Sequence, residues 1–310
     1  MVSVSSSQPT LVRESSASAT WSAAKRGPRH FQRFVHQLLS TRLVPTGLVI
    51  LGVVLFCAIF AEQIAPYSPD AQDYTQLTLP PSPEHLLGTD DAGRDVLTRV
   101  IYGSRVSLEV GVIAVGIALT MGVSFGLLAG YAAGKVGTVV MRVMDSIQAF
   151  PSLILALAIT AALGPGIGNA MIAIGITSMP TIARLARGQT LSVREREYVS
   201  ASRACGATAL RIVLKHVLPN ITSPLIVQAT LLTGTAILTE AALSFLGVGV
   251  RPPTPTWGSM LRTGSQVLET APWLAFAPGV AIFMTVLAFN FVGDGLRRAL
   301  DPRLQRRAHS

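Results

Sequence analysis

Few side chains in this sequence could do chemistry, and they fall in three places. Glu240 is the one acidic or basic side chain between His216 and Arg251, inside a long apolar run. An ionised carboxylate in a membrane segment costs about 2.5–3.5 kcal/mol on insertion scales, so it must face protein, water or a partner. Two readings stay open. Glu240 lines a pathway and meets an amine, or it is hydrogen-bonded to a neighbouring helix or protonated. The second place is 184–221, which carries seven Lys and Arg residues. The third is acidic, with Asp70, Asp73, Glu84, Asp90, Asp91 and Asp95.

What is missing bounds the chemistry. No G-x-x-x-x-G-K-[ST] phosphate loop occurs; the nearest approach, Gly130 to Gly134-Lys135, continues with Val136. No H-E-x-x-H motif or nucleophile elbow is present, and the five histidines are scattered. Cys57 lies in an apolar stretch and Cys205 in a basic loop; on the membrane topology read below they cannot meet, so no disulfide is expected, and neither has metal-ligand spacing. These observations predict no catalysis, no cofactor and no metal within this chain.

The elements that must position these residues follow from composition. Of 310 residues only 13% are charged and 50% are hydrophobic, and the mean hydropathy is +0.50. A soluble domain carries roughly 25% charge. The net charge of +9 would otherwise raise nucleic acid as a partner. Here the cations sit beside apolar segments, which points to membrane topology instead. A spanning helix needs about 20 apolar residues. Six candidates run 45–64, 106–131, 145–163, 168–186, 222–247 and 273–293. With the N-terminus inside, 20 of the 25 Lys and Arg fall in inside segments, so both termini are expected to be cytoplasmic. The polar stretch 1–30 reads as a disordered cytoplasmic tail rather than a signal peptide. Residues 31–105 form an N-terminal region with the first span and an outer loop. Residues 106–296 form a five-span core, and 297–310 a cytoplasmic tail.

The basic loop reads as two short helices broken at Gly206, since glycine permits the left-handed backbone that ends a helix. Val199 and Ala204, then Leu210, Val213, Leu214 and Val217, make apolar stripes. Arg203, Arg211 and Lys215 make a basic face. Small residues at Ser200, Ala201 and Ser202 would let the first helix enter a cleft on a partner. The same pattern also suits an amphipathic helix on lipid headgroups.

From Glu197 through Gly206 to Leu218-Pro219, this loop resembles the E-A-A-x-x-x-G…L-P loop of ABC-importer permeases. Gly206, Leu218 and Pro219 match; Ser200-Ala201-Ser202 stands where the family has Glu-Ala-Ala, so only Ala201 matches there and any salt bridge from that Glu is lost. His85 to Leu108, Leu243 to Gly249, Pro252 to Gly258 and Asn290 to Arg297 are similar to C-type permeases of dipeptide, oligopeptide, glutathione and nickel importers. The resemblance covers roughly 30–305. It implies an all-α polytopic protein with six transmembrane helices in the type I ABC importer fold, in a bacterial inner membrane. It implies a B-type permease partner forming a heterodimer, two ATPase subunits that bind ATP and Mg, and a periplasmic or lipid-anchored substrate-binding protein. It implies that di- or oligopeptides are moved, with nickel or glutathione as alternatives. A proton-driven transporter using Glu240 as relay is the rival from another class, although no inverted repeat is visible.

Further residues have structural readings. Gly122, Gly126 and Gly130 continue a four-residue ladder that suits close helix packing. Asp90 or Asp91 can cap a helix start, and Asp90, Asp91 and Asp95 either pair with Arg94 or Arg99 or contact a binding protein. Val96, Leu97, Val100 and Ile101 suit an amphipathic helix along the outer surface. Pro252, Pro253 and Pro255 would hold Trp257 near the membrane interface. Asp145, Asn290 and Asp294 are expected to pair with Arg142, Arg297 or Arg298. Pro151 and Pro180 are expected to kink their spans.

Overall fold

Apolar runs separated by short polar turns leave helices as the only way to satisfy the backbone away from water. The computed structural model describes residues 43–132 and 134–300; the expected tail at 1–30 and the terminal 301–310 lie outside them. The helices are α1 (Leu43–Ile59), α2 (Ala61–Ile64), α3 (Val96–Ala132), α4 (Gly134–Gln148), α5 (Ser152–Leu163), α6 (Ile167–Arg194), α7 (Glu197–Ala204), α8 (Ala209–Ile212), α9 (Leu218–Phe245), α10 (Trp257–Gln266) and α11 (Trp273–Leu300). A π-helical turn, Val213–Val217, joins α8 to α9. There is no strand among the described residues, only one isolated bridge between Thr89 and Asp95.

Among the described residues three stretches are long and apolar enough to cross a membrane: Val96–Ala132, Ala209–Phe245 and Trp273–Leu300. The pair α4 and α5 would make a fourth, but it bends by 90°. Here the kink expected at Pro151 within 145–163 is a full break between two helices. Pro151 has no N–H to donate and biases Phe150 toward extended backbone. The chain therefore breaks there, and α5 keeps only 12 residues. The apolar 17-residue α1 and the 28-residue α6 complete six segments in the expected order. α6 runs past the expected end at 186 to Arg194 and continues through Pro180. The surface helix expected at 96–101 is the first turns of α3, which is one 37-residue helix.

Glycines set how the helices approach. A methyl on Gly122, Gly126 or Gly130 of α3 would meet Ile182, Ala186 or Thr190 of α6 at 2.5–2.7 Å. The residue numbers rise together, so α3 and α6 run parallel. Against α9 the register is reversed: Ala118 of α3 shares a cluster with Ile221 and Leu225, and Val96 shares one with Ile237 and Ala241. Gly111 of α3 faces Thr233 and Ile237 of α9, while Gly103 faces Trp257 of α10. Large apolar side chains such as Val49, Val53, Phe276 and Phe283 remain exposed on the outside of the bundle, as lipid-facing surfaces require.

Candidate functional site

Arg194 closes α6 by donating from Nη1 to the carbonyls of Gly130 and Tyr131 at the end of α3, both at 3.3 Å. The chain then turns into α7. Helix α7 ends as its glycine demands: Gly206 has φ +80°, and the Ala207 N–H reaches back to the Ser202 carbonyl at 3.1 Å. Thr208 caps α8, its hydroxyl oxygen accepting from the Arg211 N–H. Pro219 has no N–H for the Lys215 carbonyl. The preceding turn widens to a π turn, in which Leu218 N–H donates to the Val213 carbonyl.

One apolar cluster welds this loop to the spans. Val199, Ile212, Val217 and Ile221 are fully buried and pack in one core with Ala118 of α3 and Ile182 and Ala186 of α6. The expected stripe is corrected at three positions: Ala204 is exposed, and Leu210 and Leu214 are 68% and 54% exposed. Ile212, which the stripe omitted, is the buried residue of α8. Glu197, Ser200 and Ala201 are exposed on α7, while Ser202 is half-buried with its hydroxyl donating to the Tyr198 carbonyl at 2.9 Å. A cavity of about 380 Å³ opens beside them, lined among others by Ala201, Ser202, Gly206, Arg211, Lys215 and His216.

Glu240 lies elsewhere, fully buried in α9. Its Oε1 accepts from the Ser244 hydroxyl at 2.7 Å, and that hydroxyl oxygen accepts from the Val250 N–H at 3.4 Å. Oε2 is buried without a hydrogen-bond partner, and so is Ser107 Oγ on α3. Ser107 falls midway between Gly103 and Gly111 on the α3 face that meets α9. Glu240 thus shares its level with a second unpaired polar group, and it does not line the cavity beside α7.

At the acidic end, Asp90 accepts from Arg94 Nε at 2.7 Å and from the backbone of Ala92 and Arg94. Asp95 caps α3, accepting from Thr98 N–H at 2.7 Å, and pairs with His85 Nδ1 at 2.9 Å. Arg99 is buried and donates to the Pro69 carbonyl at 2.8 Å. The Thr75 hydroxyl and N–H hold the Asp73 carboxyl below the usual carboxylate range. Trp257 corrects the interface expectation: it is 2% exposed, its Nε1 donates to Val100 O at 2.9 Å, and Gly103 makes room for the ring. Asp145 pairs with Arg184 at 3.2 Å rather than with Arg142. Cys57 and Cys205 are free thiols.

The pattern of the family described as binding-protein-dependent transport system inner membrane component matches residues 122–306, which takes in the loop, the glycine ladder and Glu240. The chain belongs to this family. A second pattern, the N-terminal transmembrane domain of oligopeptide transport permease C, matches residues 30–81. The chain is 49% identical over 268 residues to the di/tripeptide transport system permease protein DppC of Pseudomonas aeruginosa (strain UCBPP-PA14), covering 84% of this chain and 88% of that one. It is 50% identical over 280 residues to the dipeptide transport system permease protein DppC of Escherichia coli (strain K12), covering 88% and 93%. It is 43% identical over 283 residues to the glutathione transport system permease protein GsiD of Escherichia coli O6:K15:H31 (strain 536 / UPEC), covering 90% and 92%. A structure of the MetNI methionine ABC transporter, described as inward facing, matches with a TM-score of 0.56 at 21% identity, covering 66% of this chain and 98% of that chain. That likeness concerns the fold. This permease is therefore a multi-pass membrane component of a transport system.

The helix break at Gly206 and the small residues Ser200 and Ala201 on one short helix are legible in the sequence. Ile212, Arg194 and the unpaired Ser107 at the level of Glu240 are not. The only signal for Ser107 was its four-residue spacing between Gly103 and Gly111.

Proposed function

We propose that this permease is one half of a heterodimeric pore, paired with a B-type permease and driven by two separate ATPases that hold ATP and Mg. A periplasmic or lipid-anchored binding protein delivers the substrate, a di- or oligopeptide. Both termini face the cytoplasm, as the Lys and Arg bias supports. Membrane lipid surrounds the exposed apolar side chains.

The observation that carries this reading is the weld between loop and spans. Val199, Ile212, Val217 and Ile221 share one core with α3 and α6. Cores this closely packed transmit displacement rather than absorb it. A push on α7 by a closing ATPase dimer would therefore move α3, α6 and α9 together, and Ala201 and Ser200 present a small, open face for that contact. Glu240, the pathway candidate by its type, faces protein in this arrangement, and its bond to Ser244 favours the structural role; meeting substrate would require α3 and α9 to part.

Peptide is the preferred substrate because the relatives at 49% and 50% identity are named for di- or tripeptide and dipeptide transport. Glutathione is the second reading, supported by the relative at 43%. Uptake of labelled dipeptide into proteoliposomes holding the full complex separates them. Competition by unlabelled dipeptides supports the peptide reading. Competition only by glutathione, or only by nickel, moves the substrate to that class.

A further inference from the structure

The 380 Å³ cavity beside α7 has an electrostatic character that the small-residue docking face does not explain. Its floor is small: Ala201, Ser202, Gly206 and Ala207. Its wall is cationic, with Arg211 and Lys215 one helical turn apart and His216 beside them. Among the described residues no carboxylate lies in ion-pair range of Arg211, Lys215 or the nearby Arg203. Among the described residues Glu197 on the same loop likewise has no Lys or Arg in ion-pair range. Where the family loop carries a Glu, this chain has Ser200. At that position the loop therefore carries no anion, while Arg203, Arg211 and Lys215 stand exposed.

Two partners could neutralise such a pocket, a lipid headgroup or an acidic protein segment, and the helix length favours the protein. The stretch Ala209–Phe245 is 37 residues long. At 1.5 Å per residue it reaches about 55 Å, against a hydrocarbon core of about 30 Å. With Phe245 at the far edge, 20–25 residues cross. Lys215 then stands about 8–15 Å and Arg211 about 14–21 Å beyond the hydrocarbon, where a headgroup layer of about 5–8 Å is mostly passed. Leu210 and Leu214, 68% and 54% exposed, stand at the same height. Clear of the bilayer, such side chains are best covered by protein.

We propose that this pocket receives a carboxylate side chain of the ATPase subunit, clamped by Arg211 and Lys215 and flanked by apolar contacts to Leu210 and Leu214. The proposal rests on the docking reading given above. It reverses the polarity that the Glu of the family loop would give: here the permease supplies the cations.

The test is a salt wash of the immobilised complete complex, scoring the fraction of ATPase retained as NaCl rises. Four forms are compared: wild type, Arg211→Gln with Lys215→Gln, Arg211→Glu with Lys215→Glu, and Ala201→Trp. Arg211 and Lys215 are exposed and unpaired, so the neutral form is expected to fold normally. Screening weakens exposed charge pairs as salt rises. The expected result is release of the neutral form at a salt concentration at least about twofold lower than wild type, with the reversed form released already at low salt. Wild-type retention of both charge variants, with Ala201→Trp released, overturns the carboxylate clamp and leaves the docking reading standing. Wild-type retention of all four forms overturns the docking reading itself. The same series in nanodiscs of neutral lipid decides the source of the anion. A charge-variant defect that appears only with anionic lipid overturns the proposal in favour of a headgroup.

Discussion

Gly126 on α3 and Ala186 on α6 approach so closely that a methyl on Gly126 would lie 2.5 Å from the Ala186 Cβ. A second obstacle, the Ala183 carbonyl oxygen, would lie at 2.6 Å. Neither atom can swing away, because one is a Cβ fixed to a helix and the other is backbone. The ladder of Gly122, Gly126 and Gly130 thus joins two helices of the same chain, and it does so directly beneath the loop that α6 feeds.

Gly126→Ala should therefore lower stability by about 1–3 kcal/mol, as overpacking does. Gly116→Ala on the same helix is the control, because nothing lies within 4 Å of a methyl there. Thermal unfolding of the detergent-solubilised protein reads both. An unchanged Gly126→Ala transition would mean the two helices are not in this contact.

Gly206 separates backbone strain from space. Its φ is +80°, yet a Cβ there would meet nothing within 4 Å. Gly206→Ala should cost only the left-handed backbone penalty, about 1–2 kcal/mol, and Gly206→Asn less. ATPase retention should fall in the same order, Ala below Asn below Gly. Equal retention of all three would show that the turn does not position α7.

Glu240 and Ser244 form a bond whose two ends behave differently on mutation. Ser244→Ala removes the one hydrogen bond of a buried carboxyl and should cost about 1–3 kcal/mol. Glu240→Gln keeps size and can keep the bond from Ser244. Wild-type stability and uptake are expected from it. Lost uptake at normal stability would put Glu240 on the pathway instead.

Trp257→Phe removes the donor to the Val100 carbonyl while leaving most of the ring volume beside Gly103. A loss of about 0.5–1.5 kcal/mol is expected in thermal unfolding. Trp257→Ala should cost about 3–5 kcal/mol. A near-neutral alanine variant would place the indole outside the core.

The sequence made the apolar segments legible because a membrane protein must write them as long uncharged runs. Gly206 and Pro219 were legible because each residue type has a backbone consequence of its own. Pro151 announced a break, but not that the chain turns through 90° there. Contacts between distant segments were hidden. Trp257 reads as an interfacial anchor until Gly103, far away in the chain, is seen to make room for it. Ser107 and Glu240 sit in separate spans, and only the helix register places them at one level. Leu210 and Ile212 are both apolar in one short helix. Which is buried depends on how α8 lies against α6 and α9, which periodicity over four residues cannot decide.

The most direct measurement records ATP hydrolysis, ATPase retention and labelled dipeptide uptake in the same proteoliposomes, for wild type and Ala201→Trp. Wild type is expected to take up peptide only with ATP, and Ala201→Trp to lose both uptake and bound ATPase while keeping its thermal transition. Uptake by wild type without ATP, or full uptake by Ala201→Trp, would contradict the coupling of α7 to transport.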